Sequence, residues 1–205
     1  EPDVNVLFVT SATHFTLTAT DPAGSGVKET LFKIGESAYQ PVTGPFKLTS
    51  GGLAKLSFRS TDNLGNSEAA SDRSVFVDDV APSVSFNTPK TGQKFVAFKD
   101  KLVINIAVAD NSDPNPTFRA TMKRNKSDGT VESFTVKNGD EFAPFGLASG
   151  DWEVVVTDAT DWLGNKRAGV SSGIFQVVHD IQPPRTSLVV GDPKFVRSTD
   201  GAIFV

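Results

Sequence analysis

The sequence predicts an all-β chain, two tandem β-sandwiches followed by the first strands of a third. Three observations predict it. A motif returns after about a hundred residues, short bursts of period-two alternation are cut by Gly, Pro, Asn and Asp, and no stretch sustains a capped helical period.

The repeat sets the domain plan. Ser60-Thr61-Asp62-Asn63-Leu64-Gly65-Asn66 leads to Phe76 and then Asp79-Val80-Ala81-Pro82, and Ala159-Thr160-Asp161-Trp162-Leu163-Gly164-Asn165 leads to Phe175 and then Asp180-Ile181-Gln182-Pro183-Pro184. Asp62 and Asp161 lie 99 positions apart, and Pro82 and Pro183 lie 101 apart. That period suits one small immunoglobulin-like sandwich. Lys94-Phe95-Val96 recurs as Lys194-Phe195-Val196, so the unit restarts after Pro184, and Gly201 to Val205 resembles Asn5 to Val9. The expected domains are residues 1–81 and 82–184, with 185–205 opening a further repeat. A strand without its sheet is marginal in water, so the natural protein is expected to continue past Val205.

Strands are expected over residues 14–21, 53–62, 102–110, 117–124, 131–137 and 151–158. Phe15, Leu17 and Ala19 share one face of the first run while Thr16, Thr18 and Thr20 share the other, the pattern of a strand dry on one side and wet on the other. Ile104, Ile106 and Val108 take the inner face of another. Trp152, alternating with Val154 and Val156, belongs to the core, and Phe58, Phe76, Phe118 and Phe175 are read as core filler in a chain without cysteine. Burying each such side chain contributes about 1.5–3 kcal/mol.

The two Asp-x-Leu-Gly-Asn runs sit between strands and are expected to be turns. Gly65 and Gly164 permit positive φ, and the Asp and Asn side chains can bond amides the turn leaves unpaired. Leu64 and Leu163 are expected to fold back over the sandwich end. The alternative to this structural reading is a Ca²⁺ site using Asp62 or Asp161 with acids of the joints, Asp78, Asp79 and Asp180. Ca²⁺ takes roughly six to eight oxygens, so five acids spread over two joints stand behind the structural reading, and no other cofactor is expected. The Asp-Pro stretches between units read as short stiff linkers, because proline fixes φ and extends the residue before it. Stiff linkers between sandwiches give reach.

Residues 15–27, with Asp21-Pro22-Ala23-Gly24-Ser25-Gly26-Val27, then Tyr39, Thr43-Gly44-Pro45-Phe46 and Arg59 to Asn66, resemble the tandem bacterial immunoglobulin-like repeats first named from a leptospiral outer-membrane surface protein. The resemblance covers about residues 3–81 and, by its opening, 185–205. Residues 82–184 are similar only to bacterial immunoglobulin-like domains in general, since Asp110-Asn111-Ser112-Asp113-Pro114 stands where the Gly-Ser-Gly turn would be. The resemblance implies an extracellular, cell-surface or outer-membrane-associated protein, some relatives being adhesive and some joined to hydrolases, with no shared active site. It also implies that a Lys-Asn cross-link could substitute for disulfides.

Function classes narrow by exclusion. Net charge is −4 and the longest basic block is Lys123 to Lys126, so no nucleic-acid partner is expected. No apolar run reaches the roughly 18–20 residues of a membrane span, and Glu1-Pro2-Asp3 does not open a signal peptide, so membrane insertion by this segment is not expected. His14 and His179 fall in different domains and outside metal-ligand spacing, and both are read as surface strand residues. The pairs Asp78-Asp79 and Asp140-Glu141 lie in a linker and a loop, where solvated acids belong. No enzyme is expected. Trp162, in a turn, either covers the end of its own sandwich or offers a binding surface. The leading expectation is a stalk, spacer or fibre segment, with neighbouring domains of the same chain as partners and self-assembly as a further option. The alternative is an accessory module that binds glycan or a host or surface protein through loops 110–116 and 126–130.

Overall fold

A computed structural model of the chain describes residues 6–22, 24–188, 195–196 and 203–204. Its strands follow the alternating runs. In the first sandwich they are β1 (Val6–Val9), β2 (Val27–Ile34), β3 (Gln40–Pro41), β4 (Gly52–Asp62) and β5 (Ser71–Val77), in one sheet of order β1-β5-β4-β2-β3. β1 runs parallel to β5, with Val9 opposite Val77, and the β4–β5 and β2–β4 pairs are antiparallel. Val9, Phe32, Leu48, Leu56, Val75 and Val77 form the buried cluster, with Phe15, Leu17, Val42 and Phe46 packed against it.

The second sandwich contains β6 (Ser83–Thr88), β7 (Lys94–Val96), β8 (Leu102–Val103), β9 (Asn105–Ala109), β10 (Thr117–Asn125), β11 (Val131–Val136), β12 (Glu141–Phe142), β13 (Gly150–Thr160), β14 (Lys166–Arg167), β15 (Val170–Ser171) and β16 (Phe175–Val178). Its main sheet has the order β11-β10-β13-β16-β7, with β14 and β15 also on β13, and β6-β9 and β12-β8 face it. β7 is parallel to β16, as β1 is to β5, so the repeat seen in sequence is also a repeat of topology. Trp152, Val154, Val156, Phe175, Ile104 and Met122 are fully buried in its core. Helical structure among the described residues is one 3₁₀ turn, Pro144–Gly146. Beyond Leu188, β17 (Phe195–Val196) pairs antiparallel with β18 (Ile203–Phe204). The rest of the expected third repeat lies outside the described residues.

Four expectations need correction. Residues 14–21 keep the alternation of exposure, but only Phe15 bridges to Phe46, so the run packs as an extended edge and not as a ladder. The run 102–110 is split at Ile104, whose amide bonds Asp140 O at 2.8 Å instead of a strand neighbour. Leu64 is 79% exposed and plugs nothing, because its turn projects past the sandwich end. Phe76 lies between the inward Val75 and Val77, so the pleat turns it outward, where its ring meets Phe8 at 5.6 Å.

Candidate metal centre

The two Asp-x-Leu-Gly-Asn turns fold alike because their chemistry is local. Asp62 Oδ1 accepts the Leu64 and Asn66 amides at 2.9 and 2.8 Å, and Asn66 Nδ2 donates to Oδ2 at 2.8 Å. Asp161 accepts the Asn165 amide and Asn165 Nδ2, both at 2.8 Å. Gly65 and Gly164 sit at φ +91° and +89°, which a side chain would strain.

The Asn66 side chain, with smaller help from backbone amides and against partial desolvation, holds the Asp62 carboxyl below its ordinary range. Its folded pKa is thus below the unfolded value of about 3.9. The turn's stabilisation is fully present above that value and is lost as pH falls through the lower folded one. In an NMR pH titration the Leu64 and Asn66 amides should shift with a midpoint below that of an ordinary Asp; a midpoint at or above it contradicts the cap.

Strand direction decides what each turn faces. β4 starts beside Val77 and ends at Asp62, so the first turn lies at the end of its sandwich away from Asp78. β13 starts beside Val177 and ends at Thr160, so the second turn points back at the first sandwich. There Trp162 packs its ring on Phe8 at 5.3 Å. Asn165 Nδ2 donates to Asp78 O at 3.1 Å, and Arg167 Nε donates to Pro82 O at 2.6 Å. Asp78 belongs to the first sandwich through its amide, which bonds Val9 O at 2.8 Å. Its carboxylate ties the linker to the second sandwich, since Oδ1 accepts the Val80 amide at 2.9 Å and Ser112 Oγ donates to Oδ2.

Three carboxylates converge at this joint. One oxygen from each of Asp78, Asp110 and Asp161 lies within 4.8 Å of the other two. Asp78 is 1% exposed and Asp161 6%. Asp110 Oδ1 accepts the Ser112 and Asp113 amides at 2.9 and 3.0 Å and the Ser112 hydroxyl at 3.2 Å, whereas its Oδ2 is enclosed and meets no donor. Asp113, also buried, accepts the Trp162 amide at 2.9 Å and so fixes the turn against the 110–115 loop.

No family model matches the chain, and no curated protein matches it. Among solved structures it is similar to the fibronectin(III)-like modules of Clostridium thermocellum CbhA, at 15% identity over 92% of this chain and 98% of that one, with a TM-score of 0.35. So low an overlap carries no functional argument.

Of the acids considered for Ca²⁺, the fold brings Asp78 and Asp161 together and leaves Asp62, Asp79 and Asp180 apart. Asp79 Oδ1 accepts the Ser11 amide at 2.9 Å, and Asp180 Oδ1 accepts the Gln182 amide at 3.0 Å. Sequence reasoning missed Asp110 as a member of this cluster. Its signal was the Asp-Asn-Ser-Asp run itself, which departs from the glycine turn of the first unit. Trp162 is 49% exposed and meets the neighbouring sandwich through Phe8, a contact that neither of its expected roles included. His14 is exposed on the first sandwich, outside any assigned strand, and His179 follows β16, its Nε2 lying 3.2 Å from Pro144 O. The carboxylates lining the concavity beside β4, Asp21, Asp62 and Glu68, serve as acceptors for nearby amides and hydroxyls.

Proposed function

We propose that the chain is a non-catalytic spacer segment of a larger surface-exposed or secreted bacterial protein, holding neighbouring domains at a set distance and orientation. The observation that carries this reading is the joint, where Asp78 is bonded to the first sandwich by its amide and to the second by its carbonyl and its Oδ2. The Phe8–Trp162 contact and the short linker ending in Pro82 add to it, since a joint with side-chain contacts on two sides resists bending better than a bare linker. The resemblance of residues 15–66 to exported surface repeats supports the location. A second reading, a glycan- or protein-binding accessory module, is favoured by the exposed Phe98, whose ring stacks on the exposed Phe145 at 5.2 Å and 9°.

The two readings separate in the parent protein. Replacing this segment with an unrelated sandwich pair of equal length should preserve surface reach and adhesion or catalysis, while replacing it with a Gly/Ser linker should shorten reach as measured by atomic force microscopy. Loss of adhesion or substrate capture with the equal-length replacement, reproduced by Phe98→Ala with Phe145→Ala, would establish the binding module instead.

A further inference from the structure

We infer that the 62–66 turn of one copy of this chain seats on the Phe98–Phe145 pair of another, joining two-sandwich units head to tail by a contact of the same kind as the internal joint. This rests on the spacer reading and names the partner at each end of the unit.

The two Asp-x-Leu-Gly-Asn turns supply the comparison. They share their internal hydrogen bonds, and each faces the side from which the chain enters its sandwich. β1 runs away from the first turn toward Asp78, and β6 starts beside Pro82, which Arg167 holds next to the second turn. Their surroundings differ. Asp161 is buried and Leu163 and Asn165 are half-buried, because the second turn is seated on the first sandwich; at the equivalent positions Asp62 is half-buried and Leu64 and Asn66 are exposed. The Leu64 side chain takes no part in its turn, whose bonds run through the backbone and the Asp62 and Asn66 side chains. The first turn thus presents to solvent the surface that the second covers.

The exit end of the second sandwich presents the complement. β7 is to β16 as β1 is to β5, which places His179 where Asp78 stands, at the root of the outgoing chain. The Ala97 amide bonds Val178 O at 2.8 Å, and His179 Nε2 lies 3.2 Å from Pro144 O, so Phe98 and Phe145 flank that exit. Phe98 is 89% exposed, and its backbone sits at φ +65°, a strained conformation for a bulky residue that keeps the ring off the core. Its ring lies nearly parallel to that of the exposed Phe145. At the internal joint the first sandwich likewise offers an aromatic ring, Phe8, to the turn residue Trp162. A turn at the entry and aromatic rings at the exit are the two halves of such a contact. A glycan stacked on the rings would leave the exposed Leu64 without a role.

The two surfaces differ in kind, so the contact is heterologous and extends as an open chain instead of closing into a symmetric dimer. A leucine on two phenylalanines buries far less than the roughly 1,200 Å² of a stable complex, so separate molecules associate weakly. Successive units joined by a short linker meet at an effective concentration of about millimolar, where a weak contact is occupied.

The test is sedimentation equilibrium of the whole 205-residue chain up to about 1 mM, the concentration that a short linker would supply. The average mass of wild type should rise with concentration past that of a dimer. Leu64→Ser and the double variant Phe98→Ser with Phe145→Ser should each stay monomeric while keeping the wild-type melting temperature, since all three side chains are exposed. Mixed in equal amounts, the two variants should form a dimer and stop there, because the first retains only its exit surface and the second only its entry surface. Should a variant fail to fold, dilution of wild type followed by NMR is decisive, with the Leu64, Asn66, Phe98 and Lys99 amides shifting together. Wild type that is monomeric at about 1 mM, association that halts at a dimer, a folded variant that associates like wild type, or dilution shifts confined to other residues would overturn the contact. None of these results bears on the spacer reading, which is decided by the replacement experiment in the parent protein.

Discussion

Trp152→Ala should cost the second sandwich about 3–5 kcal/mol, the range for removing a large aromatic from a packed core. The indole is fully buried, stacks on Phe134 at 5.8 Å, lies under the Arg124 guanidinium at 5.6 Å, and donates its Nε1 hydrogen to Ala148 O at 2.9 Å. Alanine leaves a cavity, an acceptor without its donor and a guanidinium without its platform. For a domain near 100 residues the loss lowers the melting temperature by more than about 10 °C. Hydrogen exchange should show β10, β13 and β16 losing protection while β2, β4 and β5 keep theirs. Equal loss in both sets would mean that the two sandwiches unfold as one unit.

Phe32→Ala should give the mirror image. Phe32 is 6% exposed and stacks on Phe46 at 4.1 Å and 19°, the ring pair that closes the first sandwich between its sheet and the facing extended segments. The loss is again about 3–5 kcal/mol, but it falls on a smaller core. Among the described residues, six form the buried cluster there against fourteen in the second sandwich, so the same loss removes a larger share of the stability. Phe32→Ala should therefore leave the first sandwich largely unfolded at a temperature where the second still shows full protection. A first sandwich that stays as protected as wild type would contradict the assignment of Phe32 to its core.

What was legible in the sequence depended on the range of the physics behind it. The two Asp-x-Leu-Gly-Asn turns were readable because an Asp side chain, a Gly at positive φ and an Asn amide satisfy each other within five residues. Trp152, Val154 and Val156 were readable because the pleat alternates. Parity also rules Phe76 out of the core, since it sits between Val75 and Val77; hydrophobicity alone suggested the opposite. The expectation for Leu64 failed because a turn's direction depends on where its sandwich ends, which local composition does not encode. At the joint, Asp78 and Asp161 were legible as acids near a linker and a turn. Asp110 joins them only through packing of the 110–115 loop against both, and Trp162 finds Phe8 only once the strand directions have turned its hairpin toward the first sandwich.

The central claim is a defined joint, and a distance across it tests that claim most directly. The chain has no cysteine, so Lys47→Cys and Lys126→Cys, both at exposed positions on different sandwiches, take one spin label each with no background. Pulsed electron paramagnetic resonance on the doubly labelled protein should give a single narrow distance distribution. A broad distribution, spanning the range of a freely swinging linker, would contradict the account.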